Sequence, residues 1–376
     1  RDCLLSRGLG DVYKRQNQYS KAKRLNPAVC GSGLFMEAIE QNPVYYELAF
    51  EMPCYPDSID LRAWLKQYAT RRYGAFSPAT QKAWMLLLEG PYRQGTNGTE
   101  KSSIVAARPA LDVKKSGPNA GLEIPYDPAL IIRAQSLLLE DADKLSASRP
   151  YRFDLVDVQR QMMTNLGQLI HRKAAEAFRS KDREAFTLHS ERFLGMLADM
   201  DTLLRTRSEY SFDRWLTEAR SWGETEEEKN QMERDATSLV TIWGADGDPR
   251  IFDYSWREWA GLINGYYLPR WQKFYTMLQQ HLDEGTSYEE AGLPQIYGRE
   301  AFRANDFYHA LAEWELSYVD TYGKARIPAT EGDEVDIVKR LFKKYFKLSQ
   351  EYYTDSIKLI KPSRDERTYE NLGEDL

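Results

Sequence analysis

Two stretches of this chain hold residues whose types and spacing could do chemistry. In the first, Gly31-Ser32-Gly33-Leu34-Phe35-Met36-Glu37 places a carboxylate after a glycine-rich stretch and apolar residues, just ahead of a helix-like pattern. Such a position suits a catalytic carboxylate at the C-terminal end of a barrel strand, where the active sites of (β/α)8 barrels gather. It equally suits a solvated glutamate at a helix start, favoured there by the helix dipole. In the second, Trp243-Gly244-Ala245-Asp246-Gly247-Asp248-Pro249-Arg250-Ile251-Phe252-Asp253-Tyr254 interrupts a helical pattern with glycines and a proline and flanks the break with aromatics. A tryptophan presents a broad apolar face, and a tyrosine adds a hydroxyl at a polar edge, so the pair could line a binding surface. With 9 Trp and 24 Tyr in the chain, these rings could also be ordinary core.

Other reactive residue types form no constellation. His171, His189, His281 and His309 fall on predicted helices without the paired spacing of metal ligands, so core or surface roles are expected and neither metal nor cofactor is. Cys3, Cys30 and Cys54 are too few for a disulfide framework, and whether Cys30 and Cys54 meet is left open. Asn97-Gly98-Thr99 is a glycosylation sequon, meaningful only in a eukaryotic secretory host. Glu226-Glu227-Glu228 reads as a first helical turn complementing the dipole. The lysine-rich helix carrying Tyr345, Phe346 and Lys347 reads as solvated rather than membrane-seeking.

The elements that must position these residues are helices. Leu61, Trp64, Leu65 and Tyr68 follow helical spacing, and Gly74 supplies a stop. Ser77-Pro78 is an N-cap with proline in the first turn, and Asp127-Pro128 repeats the device. An amphipathic run follows Pro150, Asp182 opens another, Ser211 caps a third, and Thr225 with Glu228 makes a capping box. Later helices are expected over 253–280, 300–322 and 333–353, with Asp253 as a cap and Pro269 kinking or breaking the first of them. The sum is an all-α domain of about eight or nine helices. Residues 91–126 make an unusually long connection, of the kind that is generally functional or mobile.

Composition narrows the class. The 376 residues are 42% hydrophobic, 12% aromatic and 29% charged, with mean hydropathy -0.63. No apolar run of about 18 residues exists, so no transmembrane helix is expected. A net charge of -6 without a basic stripe argues against nucleic acid as a partner. Residues 1–16 show no periodicity and resemble translated sequencing-adapter read-through of the kind found at the ends of assembled metagenomic genes. They are expected to be an artefact rather than native, so the true N-terminus is expected to be missing and no signal peptide can be read. Residues 17–59 are too few to form a domain alone, and residues 361–376 read as a frayed polar tail.

The segment Gly31-Ser32-Gly33-Leu34-Phe35-Met36-Glu37-Ala38-Ile39-Glu40-Gln41-Asn42, continuing through Val44-Tyr45-Tyr46, resembles the nucleophile segment of the α-N-acetylglucosaminidases, glycoside hydrolase family 89. Further blocks agree in order: Tyr68-Ala69-Thr70-Arg71-Arg72-Tyr73-Gly74, Arg152-Phe153-Asp154-Leu155-Val156-Asp157, Trp243-Gly244, Asp253-Tyr254, Trp259-Ala260-Gly261-Leu262 and Tyr266-Tyr267-Leu268-Pro269-Arg270-Trp271. The resemblance implies a (β/α)8 barrel followed by an all-helical C-terminal domain, with the sugar bound where the two meet. Residues 17–59 would be the end of the catalytic barrel and residues 60–360 the helical domain. It further implies retaining hydrolysis of terminal α-linked N-acetylglucosamine from glycans, outside the cytoplasm in the periplasm or secreted. Glu37 matches the nucleophile, while the acid/base glutamate lies upstream in the barrel, so this polypeptide alone should be inactive. Trp243, Ile251 and Tyr254 would close the sugar subsite. Phe35-Met36 and Ala38 depart from the proline and glycine common in relatives. The alternative is a non-catalytic helical scaffold or carbohydrate-binding module in which Glu37 is a surface residue.

Overall fold

A computed structural model describes residues 18–31, 33, 42–55, 59–92, 102–117, 121–124, 126–243, 252–288, 306–324 and 330–353. Apart from an isolated parallel bridge between Ser211 and Ala260, the regular structure of the described residues is helical. The mainly-α expectation therefore holds there. The expected artefact over 1–16 and the polar tail over 361–376 fall outside the described residues.

Local chemistry sets most helix starts. After α1 (Gln18–Leu25), which no sequence signal announced, α2 (Pro43–Glu51) begins on a first-turn proline and buries Val44 and Leu48. Asp60 accepts from the amides of Arg62 and Ala63 to start α3 (Leu61–Tyr73), which ends at Gly74 with φ 76°. Ser77 caps α4 (Pro78–Glu89) through the Thr80 amide. Asp127 accepts from the Ala129 amide at 2.9 Å, so α5 (Ala129–Glu140) starts one residue beyond the expected proline, followed by the single turn α6 (Ala142–Leu145). Asp182 caps the second member of the long pair α7 (Arg149–Arg179) and α8 (Arg183–Leu204). Then come α9 (Phe212–Arg220), capped by Ser211, and α10 (Glu226–Val240), closed by the Thr225–Glu228 box. Next are α11 (Leu268–Glu284), α12 (Asp306–Asp320) and α13 (Glu334–Tyr352), the last capped by Asp333.

α7 and α8 pack closely at Gly167, where any larger residue would push the Met196 side chain aside. A Cβ on Gly167 would come within 2.6 Å of the Met196 side chain and 3.2 Å of Ile104. One buried cluster runs from Val44, Leu48 and Ile59 through α3 and α4 to α7, α8 and α11. Trp64 stacks on Tyr68 at 5.2 Å, Tyr68 meets Trp84 edge-on at 4.9 Å, and Trp84 stacks over Tyr92 at 6.1 Å.

One expectation needs correction, and two others are seen in part. No helix begins at Asp253: that residue is fully buried, with φ 58°, and the chain turns there instead. A π-helical turn, Ile263–Tyr267, then leads into α11. Pro269 consequently sits in a first turn, where its missing N–H costs little, and the widened turn ahead absorbs the break. The helix expected over 300–322 is described from Asp306 to Asp320. Much of the described part of the 91–126 connection is interior, with Ile104, Val105, Ala106, Ala107 and Ala110 buried. Interior backbone needs partners, and several are visible. Ser102 N donates to Gly121 O (2.9 Å), Leu122 N to Lys114 O (2.8 Å) and Ser116 N to Ser102 Oγ (2.9 Å), while Arg270 Nη2 donates to Ala106 O (2.7 Å).

Candidate functional site

Two of the four site residues chosen from the sequence, Trp243 and Tyr254, are brought together; Glu37 and Ile251 lie outside the described residues. The Trp243 and Tyr254 rings are 4.7 Å apart at 44°, and both side chains are half-buried. Trp243 itself has φ 59°, rare for so bulky a residue. Its amide donates to Ser238 O at 2.6 Å, and the Asp253 amide donates to Thr241 O at 2.7 Å, pinning the chain on both sides of the aromatic pair. Downstream of Glu37, Asn42 Nδ2 donates to the hydroxyl of the buried Tyr92 at 2.7 Å, tethering that end of the segment to the helical core.

Beneath the pair lies a buried cluster of two arginines and two carboxylates that sequence reasoning missed. Arg270 Nη1 donates to both Asp253 oxygens (3.1 and 2.9 Å) and to Glu315 Oε1 (2.9 Å). Arg108 grips Glu315 with Nε (3.2 Å) and Nη2 (2.8 Å). Arg270 also lies over the Tyr266 ring at 4.6 Å and the Tyr267 ring at 5.2 Å. Arg270, Asp253 and Glu315 have no exposed side-chain surface. Burial pushes the Asp253 carboxyl up to about 7; Arg270 opposes the rise and Glu315 adds to it. Both carboxyl groups are committed to arginines, so they serve structure rather than as acids or bases facing a substrate. Asp253 and Arg270 stood in the family-like blocks, but nothing in their spacing announces a pair, and Arg108 and Glu315 are 207 positions apart.

The remaining blocks resolve into fastenings between elements. Asp154 of α7 accepts from Arg72 Nε (2.6 Å), Arg72 Nη2 (2.7 Å) and the Tyr73 hydroxyl (2.8 Å) of α3. Asp157 accepts from Arg160 Nη2 (2.7 Å) and the Tyr210 hydroxyl (2.9 Å), and Arg152 reaches Glu334 of α13 (2.8 Å). Gly261 N donates to Asp201 Oδ1 of α8 at 2.6 Å. Glu258 joins Arg160 to Ser103 (2.5 Å) and Thr164 (2.8 Å).

His171 is buried, its Nδ1 2.9 Å from the Tyr275 hydroxyl, and burial pushes its pKa down to about 4. His189 Nδ1 and His281 Nδ1 likewise pair with hydroxyls, of Tyr352 (2.6 Å) and Thr286 (2.7 Å). Cys30 and Cys54 are both free and exposed. Among the described residues, no three of His, Cys, Asp and Glu gather as ligands would, and no helix is long and apolar enough to cross a membrane.

These features define an all-helical domain with a Trp243–Tyr254 ring pair beside a turn anchored by buried arginines and carboxyl groups. A family model described as "Alpha-N-acetylglucosaminidase (NAGLU) C-terminal domain" matches residues 64–344, and the chain belongs to that family. It is 31% identical over 358 residues to Homo sapiens alpha-N-acetylglucosaminidase, a match covering 92% of this chain and 44% of that protein. Among solved structures it is similar to a family 89 glycoside hydrolase from Clostridium perfringens in complex with PUGNAc, with TM-score 0.78, 26% identity, and 88% of this chain and 37% of that chain covered. A form of the clostridial protein with two glutamates replaced by glutamine, in complex with its substrate GlcNAc-alpha-1,4-galactose, matches with TM-score 0.77 and 26% identity over 88% of this chain and 36% of that one. The chain thus spans less than half the length of these relatives.

Proposed function

We propose that this chain is part of a retaining exo-glycosidase that releases terminal α-linked N-acetylglucosamine from glycans. Membership of the family, with a clostridial relative bound to GlcNAc-alpha-1,4-galactose, carries the reading. In it, residues 17–59 close a (β/α)8 barrel and residues 60–360 form the helical domain beside it. Glu37 is the nucleophile: its carboxylate attacks the anomeric carbon while a second carboxylic acid, in barrel sequence ahead of this chain, protonates the departing glycosidic oxygen. Water, deprotonated by that second group, then displaces Glu37 and releases the sugar with its α configuration. Such a pair of carboxyls must stand about 5–5.5 Å apart, so both are needed. Trp243, Ile251 and Tyr254 wall the sugar from the helical side, Trp243 against ring C–H and Tyr254 at a polar edge. Neither metal nor cofactor takes part, and the enzyme works in the periplasm or after secretion.

The test is hydrolysis of an aryl α-N-acetylglucosaminide by the protein extended to include the barrel. Proton NMR should show the α anomer formed first, and Glu37→Gln should lower kcat by a factor on the order of 10^4 or more. The 376-residue chain alone should show no turnover. Full activity of Glu37→Gln would remove Glu37 from the chemistry. Sugar binding by an inactive extended protein would favour a carbohydrate-binding module.

A further inference from the structure

Two of the three non-glycine residues with positive φ among the described residues are Trp243, in the turn that ends α10, and Asp253, in the turn over 252–255; the third, Lys181, is elsewhere. A left-handed backbone at a side-chain-bearing residue is strained and persists only where the surroundings over-determine it. Here they do. Four separate parts of the chain converge on the Asp253 side: the interior segment with Arg108 and the Ala106 carbonyl, the turn itself, α11 with Arg270, and α12 with Glu315. The interior segment also presses on the turn's backbone, since a Cβ on Gly117 would lie 2.9 Å from the Asp253 carbonyl oxygen. Phe252 is fully buried with the Arg108 guanidinium 5.6 Å from its ring centre.

Buried ion pairs are poor sources of net stability compared with apolar packing of the same volume. Here one guanidinium nitrogen of Arg270 serves both Asp253 oxygens and a Glu315 oxygen, so the donors and acceptors must sit in one arrangement to be met. We infer that Asp253 and Arg270 are positioning residues: the buried four-charge cluster holds the turn in the backbone conformation that sets Tyr254 against Trp243, and so fixes the shape of the sugar-facing wall. The catalytic consequence rests on the function proposed above; the effect on Trp243 does not.

Two measurements separate these layers. In the 376-residue chain labelled with 5-fluorotryptophan, the Trp243 ¹⁹F resonance, assigned by its loss in Trp243→Phe, should shift or broaden in Asp253→Asn while buried reference tryptophans such as Trp64 and Trp84 hold their positions. Arg270→Lys keeps the charge but loses the planar fork and should move the same resonance. In the barrel-containing protein, either variant should lower kcat/KM per folded molecule by about 100-fold, the scale of a misplaced contact. An unshifted Trp243 signal in both folded variants would overturn the inference. So would collapse of all tryptophan signals together in both, because the cluster would then be general core. A selective Trp243 shift without any glycosidase activity in the parent enzyme would uphold the positioning role and sink the proposed function alone.

Discussion

Along α7 and α8, Leu155, Met162, Leu166, Phe193, Met196 and Leu203 are buried in one core, α7 starts with a first-turn proline and α8 starts at the Asp182 cap. Beside them, the turn over 252–255, which sets Tyr254 against Trp243, takes its shape from Arg108, Asp253, Arg270 and Glu315, drawn from positions more than two hundred residues apart. The hairpin is a local construction reinforced by burial, so losing one contact leaves a void that neighbours partly fill. The turn is a long-range construction of paired charge, so losing one partner strands another in a medium that cannot solvate it. The two regions should therefore fail differently.

The largest loss is expected where a charge is stranded. Arg270→Met leaves Asp253 facing no cation it now bonds and Glu315 with Arg108 alone. Breaking a buried pair from one side costs about 3–5 kcal/mol, measurable by urea unfolding of the 376-residue chain. The double variant Arg270→Met/Asp253→Asn should cost less than the sum of the two singles, because the anion that Arg270 neutralised is gone. Additive losses would mean that the cluster is a set of independent contacts and would erase the contrast with the hairpin.

In the hairpin, Leu166→Ala should cost about 3 kcal/mol, a lost transfer energy plus a cavity. Leu166 is fully buried, but it carries no charge whose partner would be stranded. Its loss should therefore add to that of Arg270→Met, as expected of separated sites.

The same division decided what could be read in advance. Gly74, Ser77, Asp182, Ser211 and the Thr225–Glu228 box act within one turn of themselves, so residue type and spacing sufficed to place the helices they bound. Asp253 carries the same local signature as those caps, and there it misled. Its oxygens go to Arg270 instead of to amides of a following turn. Ile104 to Ala107 are apolar enough for a core, yet the glycines and prolines around them read as a loop, because the partners that make burial affordable lie in distant parts of the chain. Trp243 and Tyr254 were singled out by a family likeness, without any sign that their rings would meet, and the charges near them left no signal, since pairing across 17 or 207 positions leaves no periodicity.

His171 sharpens the comparison through pH. It lies in the α7 core against Trp271 (4.8 Å), with its pKa pushed down to about 4 from an ordinary 6.5. The unfolded chain therefore takes up the proton first. Stability contributed by the neutral ring is present above about pH 6.5 and is lost as pH falls toward 4, reaching at most about 3 kcal/mol. Wild type should accordingly lose stability relative to His171→Phe across that window. Asp253, pushed up to about 7, has the opposite sign: its folded form holds the proton more tightly, favouring the fold as pH falls below 7. Because Asp253 is present in both proteins, it cancels from the difference, and equal pH profiles for the two would contradict a buried neutral His171.

The smallest effect belongs to the most local device. Thr225 Oγ1 accepts from the Glu228 amide at 3.2 Å, and Glu228 returns a carboxylate to the Thr225 amide at 3.1 Å and the Glu224 amide at 2.8 Å. The backbone folds tightly into the box: a Cβ on Gly223 would stand 2.5 Å from Lys229 N. Thr225→Ala removes one acceptor from an exposed helix start where water can replace it, so unfolding should be eased by about 1 kcal/mol. Glu228→Gln should do less, since an amide oxygen still accepts from the same two amides. Neither change should move the Trp243 resonance, because α10's far end is pinned separately by Trp243 N on Ser238 O. A shift there from Thr225→Ala would mean that α10 transmits its N-terminal fraying along its whole length to the turn, and the separation between local and long-range construction would no longer hold.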